Sequence, residues 1–225
     1  MAKRIPIEID EWYHCFNRGT EKRVVFEDEH DAQRFLMLLY LADSTKSINL
    51  FNTRTPNLKK AFGVDRGEPI VAIGAYCLMS NHFHLLLKEI TAGGISSFMQ
   101  KVGTAYTMYF NAKNERVGNL FLKPFRSRHI STDVYFQRVL QYVHCNPAEL
   151  YEPGWKSGKV RNMKTLERKL LEYPYSSLSS YVRGQVSHPI LSKEVFKVAN
   201  HPTISRMLDD ARSYYEEITR GGFEG

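Results

Sequence analysis

The stretch Ile70–Met79 is a continuous apolar run of strand length, and a second strand-like run, His82–Lys88, follows it after only two polar residues. An apolar run of this kind is typical of a β-strand that is buried on both faces. The intervening Ser80 and Asn81 predict a short turn, so that the second run returns as the antiparallel partner of the first. We therefore expect a fold built on a β-sheet that contains this hairpin.

Strand and helix patterns alternate on either side of the hairpin. Trp12–Asn17, which is rich in strand-forming residues, and Asn119–Ile130 are predicted to be strands. Asp28 is expected to cap one helix, a stripe of apolar residues from Ile95 onward predicts a second, and Asp133–Asn146 predicts a third. The resulting order, β-α-β-β-α-β and one more helix, indicates a ferredoxin-like α+β fold, an antiparallel sheet with helices on one face. We expect this fold with an extra C-terminal helix and a tail.

The chain is expected to divide near residue 150. Residues 1–150 hold the predicted sheet and helices, whereas residues 151–225 contain a basic stretch, a Tyr-Pro-Tyr-Ser-Ser turn and short helical patterns. We interpret 151–225 as an accessory segment that packs on the first part or extends it. The stretch Phe51–Glu68 has no clean period and is expected to be a long loop or a short inserted helix.

The amino-acid composition indicates the cellular compartment and the kind of partner to expect for this chain. Its three cysteines are an odd number without CxxC spacing, which argues against a disulfide framework and favours a reducing cytoplasm. No apolar run is long enough for a membrane span and the first residues do not resemble a signal peptide, so no membrane partner is expected. The excess of 31 Lys and Arg over 24 Asp and Glu gives a net charge of +7. This charge is compatible with a polyanion partner and also with an ordinary basic protein.

His82 and His84 form the first candidate site. Residues two apart on a strand point to the same face at a spacing of roughly 7 Å, so both imidazoles can converge on one metal ion while Phe83 points to the other face. Neutral histidine is a ligand for many divalent metals. A bare His-x-His pair also occurs on solvated strands without a ligand, so this motif alone does not decide the function.

The helix predicted at Asp133–Asn146 carries the second candidate site. Tyr142 and Asn146 lie one turn apart on its polar face, together with Tyr135 and Arg138. A phenol and an amide carbonyl are therefore expected side by side. Viewed in isolation, a half-exposed tyrosine above an asparagine that ends the helix is an equally simple interpretation.

Together the two features predict metal-dependent chemistry on a phosphodiester. His82 and His84 supply two ligands, Asn146 can supply a third, and open coordination positions remain for a phosphate. Tyr142 can then attack the phosphorus atom and form a covalent intermediate, from which strands can be rejoined without ATP. Tyr106 and Tyr109 lie on the apolar stripe of the second helix and are expected to be core residues.

Further motifs occur in a fixed order between Trp12 and Tyr181. These motifs are Tyr13–Gly19, Ala75–Met79, Asn81–Leu87, Gly118–Phe121, Phe125–Ser127, Tyr142–Pro147 and Tyr173–Ser177. With them the chain resembles the single-tyrosine HUH transposases of insertion sequences, and it is most similar to their REP-associated tyrosine transposase branch. Two positions depart from that family, since Ser80 replaces a frequent proline and Cys145 a usual basic residue.

The resemblance implies a role for each candidate residue. His82 and His84 would bind a divalent metal, Mg²⁺ or Mn²⁺, and Asn146 would complete the metal shell. Tyr142 would be the nucleophile that forms a 5′-phosphotyrosine link and leaves a free 3′-hydroxyl. The implied substrate is single-stranded DNA near a hairpin or palindrome, and the implied enzyme acts as a monomer or a homodimer.

Other functions stay open on the sequence alone. A domesticated relative would bind DNA hairpins without cutting them, and a metal-dependent phosphoesterase would use a metal-bound water and have no need of Tyr142. An RNA-binding sheet of the same topology would need exposed stacking aromatics on its central strands. Four basic residues are expected to contact phosphates in the nuclease interpretation: Lys123, Arg126, Arg128 and Arg138.

Overall fold

The computed structural model describes residues 6–46, 57–183, 189–200 and 202–220. Within them, one antiparallel sheet is formed by β1 Trp12–Arg18, β2 Val71–Met79, β3 His82–Glu89 and β4 Arg126–Ile130. Short 3-10 turns lie at Thr20–Lys22 and Trp155–Ser157. The helices of the described residues are α1 Glu29–Ala42, α2 Leu58–Ala61, α3 Gly94–Lys113, α4 Asp133–Cys145, α5 Ala148–Tyr151, α6 Met163–Glu172, α7 Leu178–Val182, α8 Val195–Val198 and α9 Ile204–Arg220.

The sheet has the strand order β2-β3-β1-β4, and each neighbouring pair is antiparallel. The two strands that begin the β-α-β halves, β1 and β3, therefore lie side by side at the centre. Their register places Phe16 opposite His84 and Arg18 opposite His82. The predicted α+β fold with an antiparallel sheet and packed helices is confirmed.

Helices cover both faces of this sheet. On one face, Phe83 of β3 packs on Phe35 of α1 with ring centroids 4.8 Å apart, and Phe35 also contacts Tyr106 of α3. On the other face, Phe136 of α4 packs on Trp12 of β1 at 5.2 Å, and α9 packs in turn on α4. The two helices of the β-α-β-β-α-β unit thus share one face, and the extra helix α4 covers the other.

The segment after α6 runs along the outer edge of β2. Leu78 of β2 donates its backbone N–H to the carbonyl of Tyr175 at 2.9 Å, and Ser177 donates its N–H to the carbonyl of Tyr76 at 3.0 Å. Because β2 is the last strand on its side of the sheet, these bonds pair backbone groups that an edge strand would otherwise expose. The tail therefore extends the sheet edge as well as covering α4.

Two segments differ from the sequence expectations. The strand predicted over Asn119–Ile130 is shorter, because only β4 joins the ladder. Pro124 has no N–H to donate, and Phe121 makes only an isolated bridge with Gly19. The stretch Phe51–Glu68 contains the short helix α2, while residues 51–56 lie outside the described residues. Among the residues described, no helix combines the length and the apolar character that crossing a membrane requires.

The buried carboxylate of Glu89 fixes the start of α3. Its side chain is fully buried, and it accepts backbone N–H bonds from Gly93 at 2.6 Å, Gly94 at 3.1 Å and Ile95 at 2.6 Å. The first N–H groups of a helix have no partner within the helix, so a carboxylate at this place accepts their hydrogen bonds. It also interacts favourably with the positive end of the helix dipole. Gly93 has φ of 75°, in the left-handed region that glycine adopts most easily.

We expect Glu89→Ala to lower the free energy of unfolding by about 2–4 kcal/mol, because three N–H groups at the start of α3, two of them buried, lose their side-chain acceptor. Glu89→Gln keeps one acceptor oxygen and should lose less. Urea denaturation followed by circular dichroism measures both effects. The exposed Glu167 of α6 provides a control whose alanine variant should stay within about 0.5 kcal/mol of the wild type. Equal midpoints for the alanine variants at positions 89 and 167 would contradict the capping role.

Candidate active site

The two histidines of β3 lie on the sheet face that α4 covers. The alternation of the strand points His82 and His84 to this face, with their ring centroids 5.0 Å apart, and points Phe83 into the opposite layer. His84 is buried and His82 is half-buried. The antiparallel register therefore places both rings beneath the C-terminal half of α4.

The last turn of α4 brings the other two predicted residues to the same place. The Tyr142 ring lies 5.3 Å from the His84 ring, and Asn146 Oδ1 lies 3.4 Å from His82 Nε2. The amide of Asn146 also lies near the Tyr142 hydroxyl, where it lowers the pKa of the phenol. All four side chains line one pocket of about 430 Å³. The structure thus joins residues that are far apart in the sequence into one site.

The hydrogen bonds of His82 define which of its nitrogens faces the pocket. Asn81 donates its amide N–H to the carbonyl of Lys22, which turns its Oδ1 toward His82 Nδ1 at 2.6 Å. Nδ1 must then donate, so that Nε2 of a neutral ring carries a lone pair. This lone pair faces a second acceptor, Oδ1 of Asn146. Two acceptors that face each other in a half-buried site fit a cation between or beside them.

Burial keeps the imidazoles of the site in the neutral form that binds metals. It lowers the pKa of His82 to about 4, lowers the pKa of His84 well below its ordinary value, and lowers the pKa of His14 to about 3. Burial raises the pKa of the Tyr142 phenol well above its ordinary value, and the amide of Asn146 offsets only part of this rise. A protonated phenol beside neutral imidazoles is therefore the state at neutral pH.

The ligand set is small. In the part of the chain that the structure describes, no group of three or more His, Cys, Asp and Glu side chains could hold a metal ion. A metal here would depend on the two histidines and on the amide oxygen of Asn146, with its other positions open to solvent or substrate. The positive side chains of Arg18, Lys22 and Lys156 also line the pocket and would attract a phosphate.

Tyr142 is more buried than the pattern of its helix indicates. The sequence pattern assigns it to the polar face of α4, but the structure leaves it only 5% exposed. The cause is α9, whose Tyr214 ring packs on the Tyr142 ring at 4.9 Å. The half-exposed tyrosine of the simpler interpretation is therefore wrong, because a helix far along the chain covers it.

The sequence pattern missed two residues that contact the site directly. His14 Nε2 lies 2.9 Å from His84 Nδ1, and His14 Nδ1 lies 2.7 Å from the hydroxyl of Tyr214. A signal for His14 exists in the sequence, since it alternates with Trp12 and Phe16 on one face of β1. No local signal points to Tyr214, which lies 200 residues after its partner.

The four predicted phosphate contacts have different surroundings. Lys123, Arg126 and Arg138 are exposed. Arg126 lines a smaller pocket of about 200 Å³ that shares Phe16 and Arg18 with the main one. Arg128 instead forms an ion pair of 2.8 Å with Glu217 of α9 and lies over the Tyr135 ring. It is therefore engaged with α9 in this structure.

Comparison with known proteins gives two matches. The family model described as "Transposase IS200 like" matches residues 10–146, a range that ends at Asn146 and includes all four pocket residues that the sequence predicts. A solved structure of a REP-associated tyrosine transposase bound to a REP hairpin is 14% identical to this chain, with a TM-score of 0.51, and the match covers 91% of this chain and 95% of that one. At this identity the likeness shows a shared fold. No curated protein matches the chain.

Proposed function

This chain belongs to the IS200-like transposase family, and we propose that it cleaves and rejoins single-stranded DNA near hairpins through a covalent bond to Tyr142. The observation that carries the proposal is the convergence of His82, His84, Asn146 and Tyr142 in one pocket. Support for a hairpin substrate comes from the solved relative, which is bound to a REP hairpin.

In the proposed reaction the Tyr142 hydroxyl oxygen attacks the phosphorus atom of one phosphodiester. The bond between phosphorus and the 3′-oxygen breaks, the phenol proton is lost, and the departing oxygen takes up a proton to become a 3′-hydroxyl. The 5′ end stays linked to Tyr142. Attack by another 3′-hydroxyl on this link reforms a phosphodiester and returns the phenol, so the phosphodiester energy is conserved.

The chain's own groups supply position and charge for this reaction. His82, His84 and Asn146 would hold a divalent cation, Mg²⁺ or Mn²⁺, which polarises the scissile phosphate when it is bound. Asn146 lines the same pocket as Tyr142, so the amide that would bind the cation lies beside the attacking oxygen. The packing of α9 leaves Tyr142 only 5% exposed, which limits the access of water to the nucleophile and would favour strand transfer over hydrolysis.

We further propose that residues 1–150 carry the chemistry and that 151–225 are an accessory segment. The end of the family match at residue 146 supports this division. The packing of α9 on α4 indicates that the accessory segment completes the walls of the site. A monomer and a homodimer are both compatible with the proposal.

Covalent capture tests the proposed function. The protein is incubated with hairpin-bearing single-stranded DNA labelled on the 5′-phosphate side of the cut, in Mn²⁺ or in EDTA, and the products are separated under denaturing conditions. A labelled protein adduct that requires Mn²⁺ is the expected result. Cleavage without an adduct would indicate a phosphoesterase, and tight hairpin binding without cleavage across a panel of hairpins would indicate a DNA-binding relative.

The exposed cations near β4 yield a separate prediction. A double variant with Lys123→Ala and Arg126→Ala should weaken binding of hairpin DNA, because two phosphate contacts and their counterion release are lost. The slope of log K against log salt should fall in magnitude by about 1–2. Fluorescence anisotropy over a salt series measures it. A control with Lys159→Ala and Lys164→Ala removes the same charge from exposed positions that do not line either pocket. Equal slopes for the two double variants would contradict the assignment.

A further inference from the structure

Two buried hydrogen bonds in series connect Tyr214 of α9, through His14, to His84 of the site. We propose that His14 and Tyr214 are positioning residues that hold His84 in the orientation and tautomer that bind the divalent cation. This inference rests on the proposed function, since it assumes that His84 is a metal ligand. It assigns a role to one residue of β1 and to one residue of α9.

Both hydrogen bonds of this series are short, and all three side chains are buried from solvent. His84 Nδ1 lies 2.9 Å from His14 Nε2, and His14 Nδ1 lies 2.7 Å from the Tyr214 hydroxyl. His14 is 1% exposed and Tyr214 is fully buried. The rings also pack on one another, with centroids 5.1 Å apart between His14 and His84 and 5.7 Å between His14 and Tyr214. Water has no access to replace either partner.

The direction of the hydrogen bonds decides whether His84 can bind a cation. Its Nδ1 is engaged by His14, so Nε2 is the nitrogen left for a metal, and Nε2 must then carry a lone pair. The single proton of a neutral His84 therefore sits on Nδ1 and is donated to His14 Nε2. Histidine ligands of metals usually donate their second N–H to an acceptor in this manner.

Tyr214 can stabilise this direction by acting as an acceptor, although a hydroxyl can also donate. Once His14 Nε2 accepts, the proton of the neutral His14 ring sits on Nδ1 and needs an acceptor, which the Tyr214 hydroxyl provides. Without that oxygen, Nδ1–H would be buried without a partner, and the opposite tautomer of His14 would be favoured. The opposite tautomer donates to His84 Nδ1 and moves the His84 proton to Nε2, where it blocks the metal.

Manganese binding to the DNA-free protein tests this inference without relying on activity. The free Mn²⁺ signal in electron paramagnetic resonance gives the affinity for the wild type and for each variant. His14→Leu should weaken binding by about 10–100-fold, and Tyr214→Phe by a smaller factor of about 3–10. His14→Gln should recover part of the loss, because its side-chain carbonyl can accept from His84. In cleavage assays, the half-saturating Mn²⁺ concentration should rise while the rate at saturating Mn²⁺ stays close to that of the wild type.

Tyr106→Phe is the matched control for Tyr214→Phe. Tyr106 is equally buried, donates its hydroxyl to the carbonyl of Val25 at 2.6 Å, and lies on the opposite face of the sheet. It should lose a buried hydrogen bond and leave Mn²⁺ affinity unchanged. If Mn²⁺ affinity fell equally in Tyr106→Phe and Tyr214→Phe, general destabilisation would explain the loss and the positioning role would be overturned.

The same titration separates this inference from the proposed function. A wild-type protein that binds no Mn²⁺, or one whose binding survives His82→Ala, would contradict the metal site itself. Binding that is lost in His82→Ala but unchanged in His14→Leu and Tyr214→Phe would overturn the positioning role alone. A larger loss of Mn²⁺ affinity in His14→Leu than in Tyr214→Phe, with partial recovery in His14→Gln, would support the positioning role.

Discussion

Tyr142→Phe is expected to abolish the covalent DNA adduct and to lower the rate of strand cleavage by about 10³–10⁶-fold, the range seen when an enzyme loses its nucleophile. The substitution keeps the ring that packs on His84 and Tyr214 and removes only the attacking oxygen. Hairpin binding should therefore stay within about threefold of the wild type. Single-turnover cleavage and an anisotropy titration on the same DNA measure the two quantities.

Tyr215→Phe is the control for this loss, because Tyr215 is the other tyrosine that lines the same pocket. It should still form the adduct, and peptide mapping of captured DNA should find the label on the peptide that contains Tyr142. Adduct formation that survives Tyr142→Phe, or a label mapped to Tyr215, would rule out the proposed nucleophile. Tyr106 is excluded on geometric grounds, because it lies on the opposite face of the sheet.

His82→Ala has the second largest expected effect. We expect cleavage to fall by about 10²–10⁴-fold at a fixed Mn²⁺ concentration, corresponding to the several kcal/mol of transition-state stabilisation that a metal can supply. EDTA should lower the cleavage rate of the wild type by a similar factor and should lower the rate of His82→Ala little further. Cleavage rates of the wild type and of His82→Ala are measured across a series of Mn²⁺ concentrations. Higher Mn²⁺ should restore part of the activity of the variant if His82 acts as a ligand.

His129→Ala serves as the matched control for the histidine substitution. His129 is exposed on β4 and pairs with Glu11 at 2.9 Å, and it does not line the pocket. Its alanine variant should cleave at a rate close to that of the wild type. A His82→Ala protein that cleaves at the wild-type rate and keeps the wild-type Mn²⁺ dependence would refute a ligand role for His82.

The parts of the site that local periodicity defines could be predicted from the sequence. The two-residue repeat of a strand places His82 and His84 on one face, and the turn of a helix places Asn146 next to Tyr142. That these two pairs meet depends on the order of elements in the fold, which the alternation of patterns also indicated. The resemblance to a known family then supplied the chemistry.

The parts that depend on distant packing could not be predicted. The ion pair of Arg128 with Glu217 of α9 has no local signal in the sequence, and a phosphate contact of Arg128 stays a prediction. The pattern of α4 predicts a polar-face position for Tyr142, because it contains no information about α9. The role of Tyr214 at His14 likewise joins residues that no local repeat connects. All three contacts involve α9, and the position of α9 depends on tertiary packing that a local sequence pattern does not reveal.

The pairing of the tail with β2 has a consequence for aggregation. Each residue of β2 is buried, so the strand is apolar on both faces, and its outer backbone groups are paired by residues near Tyr175. A strand of this composition with an open edge is a template for intermolecular β-pairing and fibril growth. We therefore expect the residues near Tyr175 to limit self-association, and variants that loosen their pairing with β2 should precipitate more readily than the wild type.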